Sequence, residues 1–310
     1  MGGFAPLSGR LDAALSTYAQ GYRNNDLVGD LIFPRVGVQR QTDKYWVWGR
    51  EAQELTENDL RATGAGAEAI RAALSSDSYS AISHALKFDL ADETRANFQA
   101  GDAEQALTQM LMDKILLAKE KRALDLISSK TVVTQNVTLE GGDQWSDPLN
   151  SNPRGDVDLA KDTIMKTGTR VNLMIIGPEV FTALRSNQQL LEALKYVRVG
   201  VIGEAELATF FGIDRVLVAR GVSFSGSTAS FLMGKHAFLG YVSPGASQMD
   251  LSFGKTFVWE GAPGTIGGIG TVIGRNPDVT AKSDIVGVDF YYDQKVCAAA
   301  TGYLIYSAAA

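Results

Sequence analysis

Residues 30–51 read DLIFPRVGVQRQTDKYWVWGRE. Pro34 keeps Phe33 out of the helical region. Val36 and Val38 then alternate with Gly37 and Gln39, as in a half-buried strand. The pattern weakens over Gln41–Asp43. It resumes as Tyr45, Trp46, Val47 and Trp48, a run apolar on both faces that ends at Gly49. Two of the chain's four tryptophans sit here with no reactive residue beside them. The rings are either core of their own chain or surface for another subunit, and both readings stay open at this point.

The flanking sequence makes the stretch one side of an extended element. Residues 52–76 are polar and rich in Ala and Gly, with GAG at 64–66 as a flexible point. SYSAISHALKFDL (78–90) alternates again and places Ile82, Leu86, Phe88 and Leu90 on one face. Strand, long tip and strand describe an extended hairpin. Hairpin loops usually have about 2–5 residues, and an isolated two-stranded hairpin is marginal in water, so this one needs a partner surface. Residues 1–29 read as an arm with one short helix carrying Leu11, Leu15 and Tyr18. Ordering thirty residues costs roughly 30–60 kcal/mol of backbone entropy. A thin arm cannot recover that against itself, so it lies on its own body or on a neighbour.

DAEQALTQMLMDKILLAKEKRALDLIS (102–128) carries the strongest helix signal, with Asp102 and Gln105 at capping-box spacing. Leu107, Leu111, Ile115 and Ala118 form one stripe; Met112, Leu116, Ala123 and Ile127 form another, turned away from it. The expectation is a helix between two layers. KEKR (119–122) winds around this helix and reads as solvated or salt-bridged charge. Further on, SKTVVTQNVTLEGGDQW reads as strand and turn and GDVDLAKDTIMKTG as a helix with Asp156 near its start. RVNLMIIG is a buried strand, PEVFTALRSN a helix with Pro178 at its first position, and QQLLEALKYV continues helical. EAELATFFG is a helix stopped by Gly212, with strand DRVLVAR after it. Residues from 221 onward read as strands and Gly-rich turns, ending in two strands around Asp293 and Gln294. The pattern is mixed α+β with antiparallel strands gathered at both ends.

The 310 residues are 45% hydrophobic and 21% charged, with a net charge of -6. That is ordinary globular composition and offers no global basic field to nucleic acid. One cysteine, Cys297, excludes an internal disulfide framework. No secretory signal or spanning segment is legible, and Pro6 spoils the myristoylation pattern that Gly2 invites. The expectation is a soluble, cytoplasmic protein without a membrane partner.

Catalytic constellations are not evident. His84 and His236 are far apart and lack HExxH spacing. GVSFSG (221–226) misses the nucleophile elbow, with Ser225 where the second glycine belongs. Cys297 sits in an apolar strand and reads as a buried, inert thiol. GAPGTIGGIGTVIGRNP (261–277) lacks the lysine and following helix of a phosphate loop. The reading is therefore no enzyme, no metal and no cofactor.

An arm, an aromatic-based hairpin, one long helix and no active site describe a subunit. The chain resembles the tailed-phage major capsid proteins of the Hong Kong 97 type. The likeness is carried in order by LIFPRVGVQRQTDKYWVWGRE (31–51), ADETRANFQAGDAEQALTQMLMDKILLAKEKRAL (91–124), MIIGPEVFTALRSNQQLLEALKYV (174–197), LATFFGIDRVLVAR (207–220) and VGVDFYYDQKVCAAATGYLIYSA (286–308). The resemblance implies an N-terminal arm at 1–36 and an extended loop at 37–88. It further implies a peripheral domain with a spine helix at 89–154 and 284–310, and an axial domain at 155–283. It implies self-assembly into hexamers and pentamers of an icosahedral shell around double-stranded DNA, in the virion after assembly in host cytoplasm. Portal and cement or decoration proteins are the partners of such a shell. Beginning almost at the arm, the chain is expected to rely on a separate scaffold. Some relatives cross-link subunits through a Lys–Asn isopeptide bond; Lys44 lies near the loop's base, without an identifiable acceptor, and that chemistry is not carried over. The candidate inter-subunit contacts are Phe33, Tyr45, Trp46, Trp48, Arg50 and Glu51. Two other readings remain: an encapsulin-like nanocompartment with the same fold, and an enzyme with an unrecognised site.

Overall fold

The computed structural model describes residues 10–11, 27–47, 60, 63, 75–93, 102–194, 202–225, 228–245, 247–262, 271–278 and 282–310. In chain order the elements are β1 (Arg10–Leu11), α1 (Gly29–Ile32), β2 (Arg35–Val38), β3 (Thr42–Val47), β4 (Ser75–Ser80), β5 (Ile82–Ala91) and α2 (Asp102–Ile127). Then come β6 (Asn136–Thr138), α3 (Pro153–Met165), β7 (Leu173–Ile176), α4 (Pro178–Ser186), α5 (Gln188–Leu194), α6 (Glu204–Phe211) and β8 (Arg215–Val218). The remainder is β9 (Val222–Ser225), β10 (Thr228–Phe231), β11 (Ala237–Gly240), β12 (Gly254–Trp259), β13 (Thr271–Asp278), β14 (Ser283–Val296) and β15 (Gly302–Tyr306). The chain packs as two units. Met1–Asp43, Ser78–Leu124 and Lys255–Lys295 make one; Lys44–Asp77, Asp125–Gly254 and Val296–Ala310 make the other.

The first unit is built on a sheet ordered β1-β13-β14-β12-β2, with β5 also paired to β14. β14 is the long central strand. Its alternate residues Val286, Val288, Phe290 and Tyr292 pack against Leu111, Met112, Ile115 and Leu116 of α2, as a period of two on a strand facing a period of 3.6 on a helix requires. The two stripes expected on α2 are in fact one wandering band. Thr108, Leu111, Met112, Ile115, Leu116, Lys119, Glu120, Ala123, Leu124 and Ile127 are buried, whereas Leu107 and Ala118 are only partly so. A step of four residues overshoots a full turn of 3.6, so the rows 111, 115, 119, 123, 127 and 108, 112, 116, 120, 124 drift together around the axis. The expected cap at Asp102 lies outside the described side chains.

The second unit is a five-stranded sheet ordered β6-β15-β11-β7-β8. β11 is antiparallel to β7 and β15, whereas β7 with β8 and β15 with β6 are parallel. β7 and β11 are buried at every residue, the mark of strands covered on both faces. Val157, Ala160 and Ile164 of α3, Val180 and Leu184 of α4, and Leu207 and Phe211 of α6 cover one face. On β11, Phe238 points the other way and meets Phe253, ring centroids 4.7 Å apart. Local sequence explains the helix ends. Asn152 accepts a hydrogen bond from Gly155 N at 3.0 Å to cap α3. Gly212 closes α6 at φ 61°, in the left-handed region that costs glycine nothing.

Several boundaries differ from the sequence reading. β14 runs without a break through Asp293 and Gln294 to Val296, and the interruption falls at 297–301. β15 then joins the five-stranded sheet and not the sheet of α2, while β12 and β13 join the α2 sheet. The units divide at 43/44, 77/78, 124/125, 254/255 and 295/296. Strand pairing across the chain overrides contiguity, and no periodicity within a strand reports which sheet it enters.

Candidate functional site

The described part of the stretch, residues 30–47, and its partner strands carry the candidate contacts, 30–43 in the first unit and 44–47 in the second. Two anchors hold its beginning. Glu120, buried on α2, accepts hydrogen bonds from Val28 N (2.9 Å) and Gly29 N (2.6 Å). These are donors at the start of α1 that lack partners within the helix. An added Cβ at Gly29 would lie 2.5 Å from Glu120 Oε2 and 3.1 Å from Ala123 Cβ, so it would displace the carboxylate. Beside it, Lys119 pairs with Asp30, and Arg35 reaches the same carboxylate at 2.6 Å. Burial pulls the Lys119 ammonium below its ordinary range although Asp30 opposes this. Burial pushes Glu120 up against the two backbone donors. At Asp30 burial also pushes upward, but Lys119 and Arg35 outweigh it and hold the carboxyl below its usual value. KEKR is thus only half solvated: Lys121 and Arg122 are exposed, whereas Lys119 and Glu120 are core. The signal was present in the spacing, since 115, 119 and 123, and 116, 120 and 124, continue the buried band.

β2 then runs parallel to β12, Val36 opposite Phe257 and Val38 opposite Trp259, with Val36 and Val38 buried as expected. β3 and β4 form a separate two-stranded sheet. Its base is tied down by Ala81 N donating to Gln41 O (2.8 Å), Tyr79 Oη donating to Arg40 O (3.2 Å) and Ser80 N donating to Asp293 Oδ2 (2.9 Å). Tyr79 stacks on Phe257 at 4.6 Å.

The candidate contact residues separate cleanly. Phe33 is fully buried and Tyr45 is 5% exposed, with its hydroxyl on Asp77 at 3.2 Å. Both rings are spent inside their own chain, which leaves them little to offer a neighbour. Trp46 points the opposite way on β3 and is 40% exposed. Trp48, Arg50 and Glu51 lie outside the described residues. The first unit, by itself, also exposes residues read only as a strand face. On β5, Leu90 is buried and Phe88 half-buried, but Leu86 and Ile82 are 38% and 54% exposed. All four share a face, that of Val286, Val288 and Tyr292 across the strand pair. α2 covers this apolar strip near Phe88, and the Ile82 end stays bare.

The rest of the described surface offers little chemistry. His84 lies against the Tyr292 ring at 4.5 Å. His236 stacks on Tyr306 at 4.1 Å, and its Nδ1 accepts from Ser307 N. Cys297 is buried. Among the described residues no group of three or more His, Cys, Asp or Glu side chains could hold a metal ion, and no helix is long and apolar enough to cross a membrane. An open cleft of about 420 Å³ is lined by Asn152, Arg154, Gly155, Asp158, Gln189 and Phe210. Its carboxylate is engaged by Lys161 (3.0 Å) and Arg154 (3.9 Å).

Known proteins resemble the chain along most of its length. The major capsid protein of Burkholderia phage BcepMu is 27% identical over 216 residues, 68% of this chain and 69% of that one. A phage-related protein from Bordetella bronchiseptica RB50 superposes with a TM-score of 0.79 at 25% identity, covering 97% and 98% of the two chains. The capsid structure of cyanophage P-SCSP1u gives a TM-score of 0.60 at 9% identity over 99% and 92%, which shows a shared fold, the Hong Kong 97 type. The profile of the family described as phage major capsid protein E matches residues 52–228. The chain belongs to the phage major capsid protein E family.

Proposed function

We propose that copies of this structural capsid protein close into hexamers and pentamers of an icosahedral shell around double-stranded DNA, assembled in host cytoplasm and retained in the virion. The hairpin of residues 37–88 lies on a neighbouring subunit, and the arm 1–36 reaches along the body or a neighbour. The unit of α2 and its sheet acts as the peripheral domain, and the five-stranded unit as the axial domain. The protein acts through contacts, without catalysis or cofactor. Scaffold, portal and cement or decoration proteins are its further partners.

Bare apolar groups, Ile82 and Leu86 in the first unit and separately Trp46 in the second, are the observation that carries this reading. Ile82 and Leu86 stay exposed while Leu90 on the same strand face is buried, and Trp46 stays exposed while its neighbour Tyr45 is buried. α2 covers the β5 face only as far as Phe88, so apolar groups are left where their own chain provides no cover, and water penalises them by about 25 cal/mol per Å². A net charge of -6 suits a wall that confines DNA without gripping it. Electron microscopy of the purified protein, alone and with its scaffold, tests the reading directly. Closed particles are expected. A stable monomer at high concentration with scaffold present would refute it, and particles filled with protein cargo in place of nucleic acid would favour a nanocompartment.

A further inference from the structure

After β8 the chain turns out into β9 and β10, an antiparallel pair that forms a sheet of its own. Leu232 N donates to Gly221 O at 2.9 Å and closes its base. The register sets Phe231 opposite Val222 and Ala229 opposite Phe224. Opposed residues share a face and alternate residues do too, so Val222, Phe224, Ala229 and Phe231 line one side. Ser223 and Ser230 meet on the other, Oγ to Oγ at 3.2 Å. The apolar side is uncovered: Phe224 is 77% exposed and Phe231 43%. A two-stranded hairpin is marginal without support, and here the face that should provide it meets solvent.

We propose that this apolar face docks on a second copy of the chain. The proposal rests on the shell reading above and names one of its contacts. Two observations select the occupant. First, residues 221–234 contain no charged side chain, whereas the chain as a whole carries -6. Copies of an acidic chain repel one another, and they approach at least cost where no like charges are apposed. The same lack of charge offers nothing to nucleic acid or to an anionic surface. Second, the exposed parts of the two rings amount to roughly 200–300 Å², taking about 150–250 Å² for a whole aromatic side chain. A stable pairwise interface needs about 800 Å² from each partner. The hairpin is too small to hold a dimer and is the right size for one contact among several, as in a closed assembly where each copy is also held by others.

The test uses the full chain. Ala229→Cys places a thiol on the apolar face, and the native Cys297 is buried, so maleimide labelling reports that face. In particles made of this chain alone, labelling at the introduced thiol is expected to slow at least tenfold relative to dissociated subunits. Equal labelling in both would overturn the proposal. Protection that is absent from closed particles and appears only when a scaffold or decoration protein is then added would overturn it too, by assigning the face to that partner. In parallel, the double variant F224S/F231S is expected to melt like wild type and to need at least about a tenfold higher concentration to form particles, the scale of an aromatic hot spot. Normal assembly of that variant would refute the contact while leaving the shell reading intact. Absence of closed particles from the wild-type chain with scaffold present would remove both.

Discussion

Glu120→Ala is the most informative single change, because the docking of α1 is balanced finely enough for one carboxylate to decide it. Fixing the backbone of residues 28–33 costs about 6–12 kcal/mol. Burying Val28, Ile32 and Phe33, at 5%, 0% and 0% exposure, returns about 5–9 kcal/mol at roughly 1.5–3 each. The two terms nearly cancel. The two anchors then tip the balance: the Asp30 pairs with Lys119 and Arg35, and the charge-assisted bonds from Val28 N and Gly29 N to Glu120, worth about 1.5–3 kcal/mol each. Removing the carboxylate leaves both donors buried and unpaired. The burial that raises the Glu120 pKa offsets part of that loss, so the net effect is about 2–4 kcal/mol. Hydrogen exchange read on a peptide covering residues 27–34 should then accelerate by roughly 30- to 700-fold, with far smaller changes on β7 and β11, which lie in the other unit. If that peptide keeps its protection in the variant, the carboxylate is not the anchor and the balance drawn here is wrong.

Three further outcomes follow from particular contacts. Gly177→Ala should lower stability by at least about 3 kcal/mol in urea melts, because an added Cβ would lie 1.7 Å from the backbone oxygen of Gly234; a variant within 1 kcal/mol of wild type would contradict that close approach. Asp30→Asn should destabilise at pH 7 by an amount that shrinks on acidification. Lys119 and Arg35 hold the Asp30 carboxyl below its ordinary 3.8, so its contribution is full above that pH and is lost as pH falls through the lowered value. Glu120, raised by burial, runs the opposite way, so the comparison is with wild type at each pH; a gap that stays constant down to strong acid would refute the assignment. Phe33→Ala should cost about 3–5 kcal/mol of subunit stability, whereas Trp46→Ala should leave the melt within about 1 kcal/mol and reduce particle yield in sedimentation. Equal effects of the two on folding would undo the division between core ring and contact ring.

Much of the fold is legible in the chain. The stop at Gly212, Pro178 at a helix start, and the apolar runs of β7 and β8 are local signals that hold their meaning in the folded protein, whereas the cap at Asn152, ahead of the helix as read, was missed. The strand character of 35–38, 42–47 and 82–91 is equally local. The candidate surface is less legible: the sequence could place aromatic rings at the hairpin base but could not say which were already in use.

What the sequence by itself determined is the set of elements, their order and the absence of an evident catalytic pattern, because dihedral preference, capping and hydrophobic period act over a few residues. Only the tertiary structure decided that β15 leaves the sheet of β14 and that Lys119 and Glu120 are core. It alone decided that Phe33 and Tyr45 are buried while Trp46 stays bare. Those outcomes depend on which distant backbone supplies a strand's partner, a carboxylate or a cover, and such pairings over some 90 residues leave no trace in local periodicity.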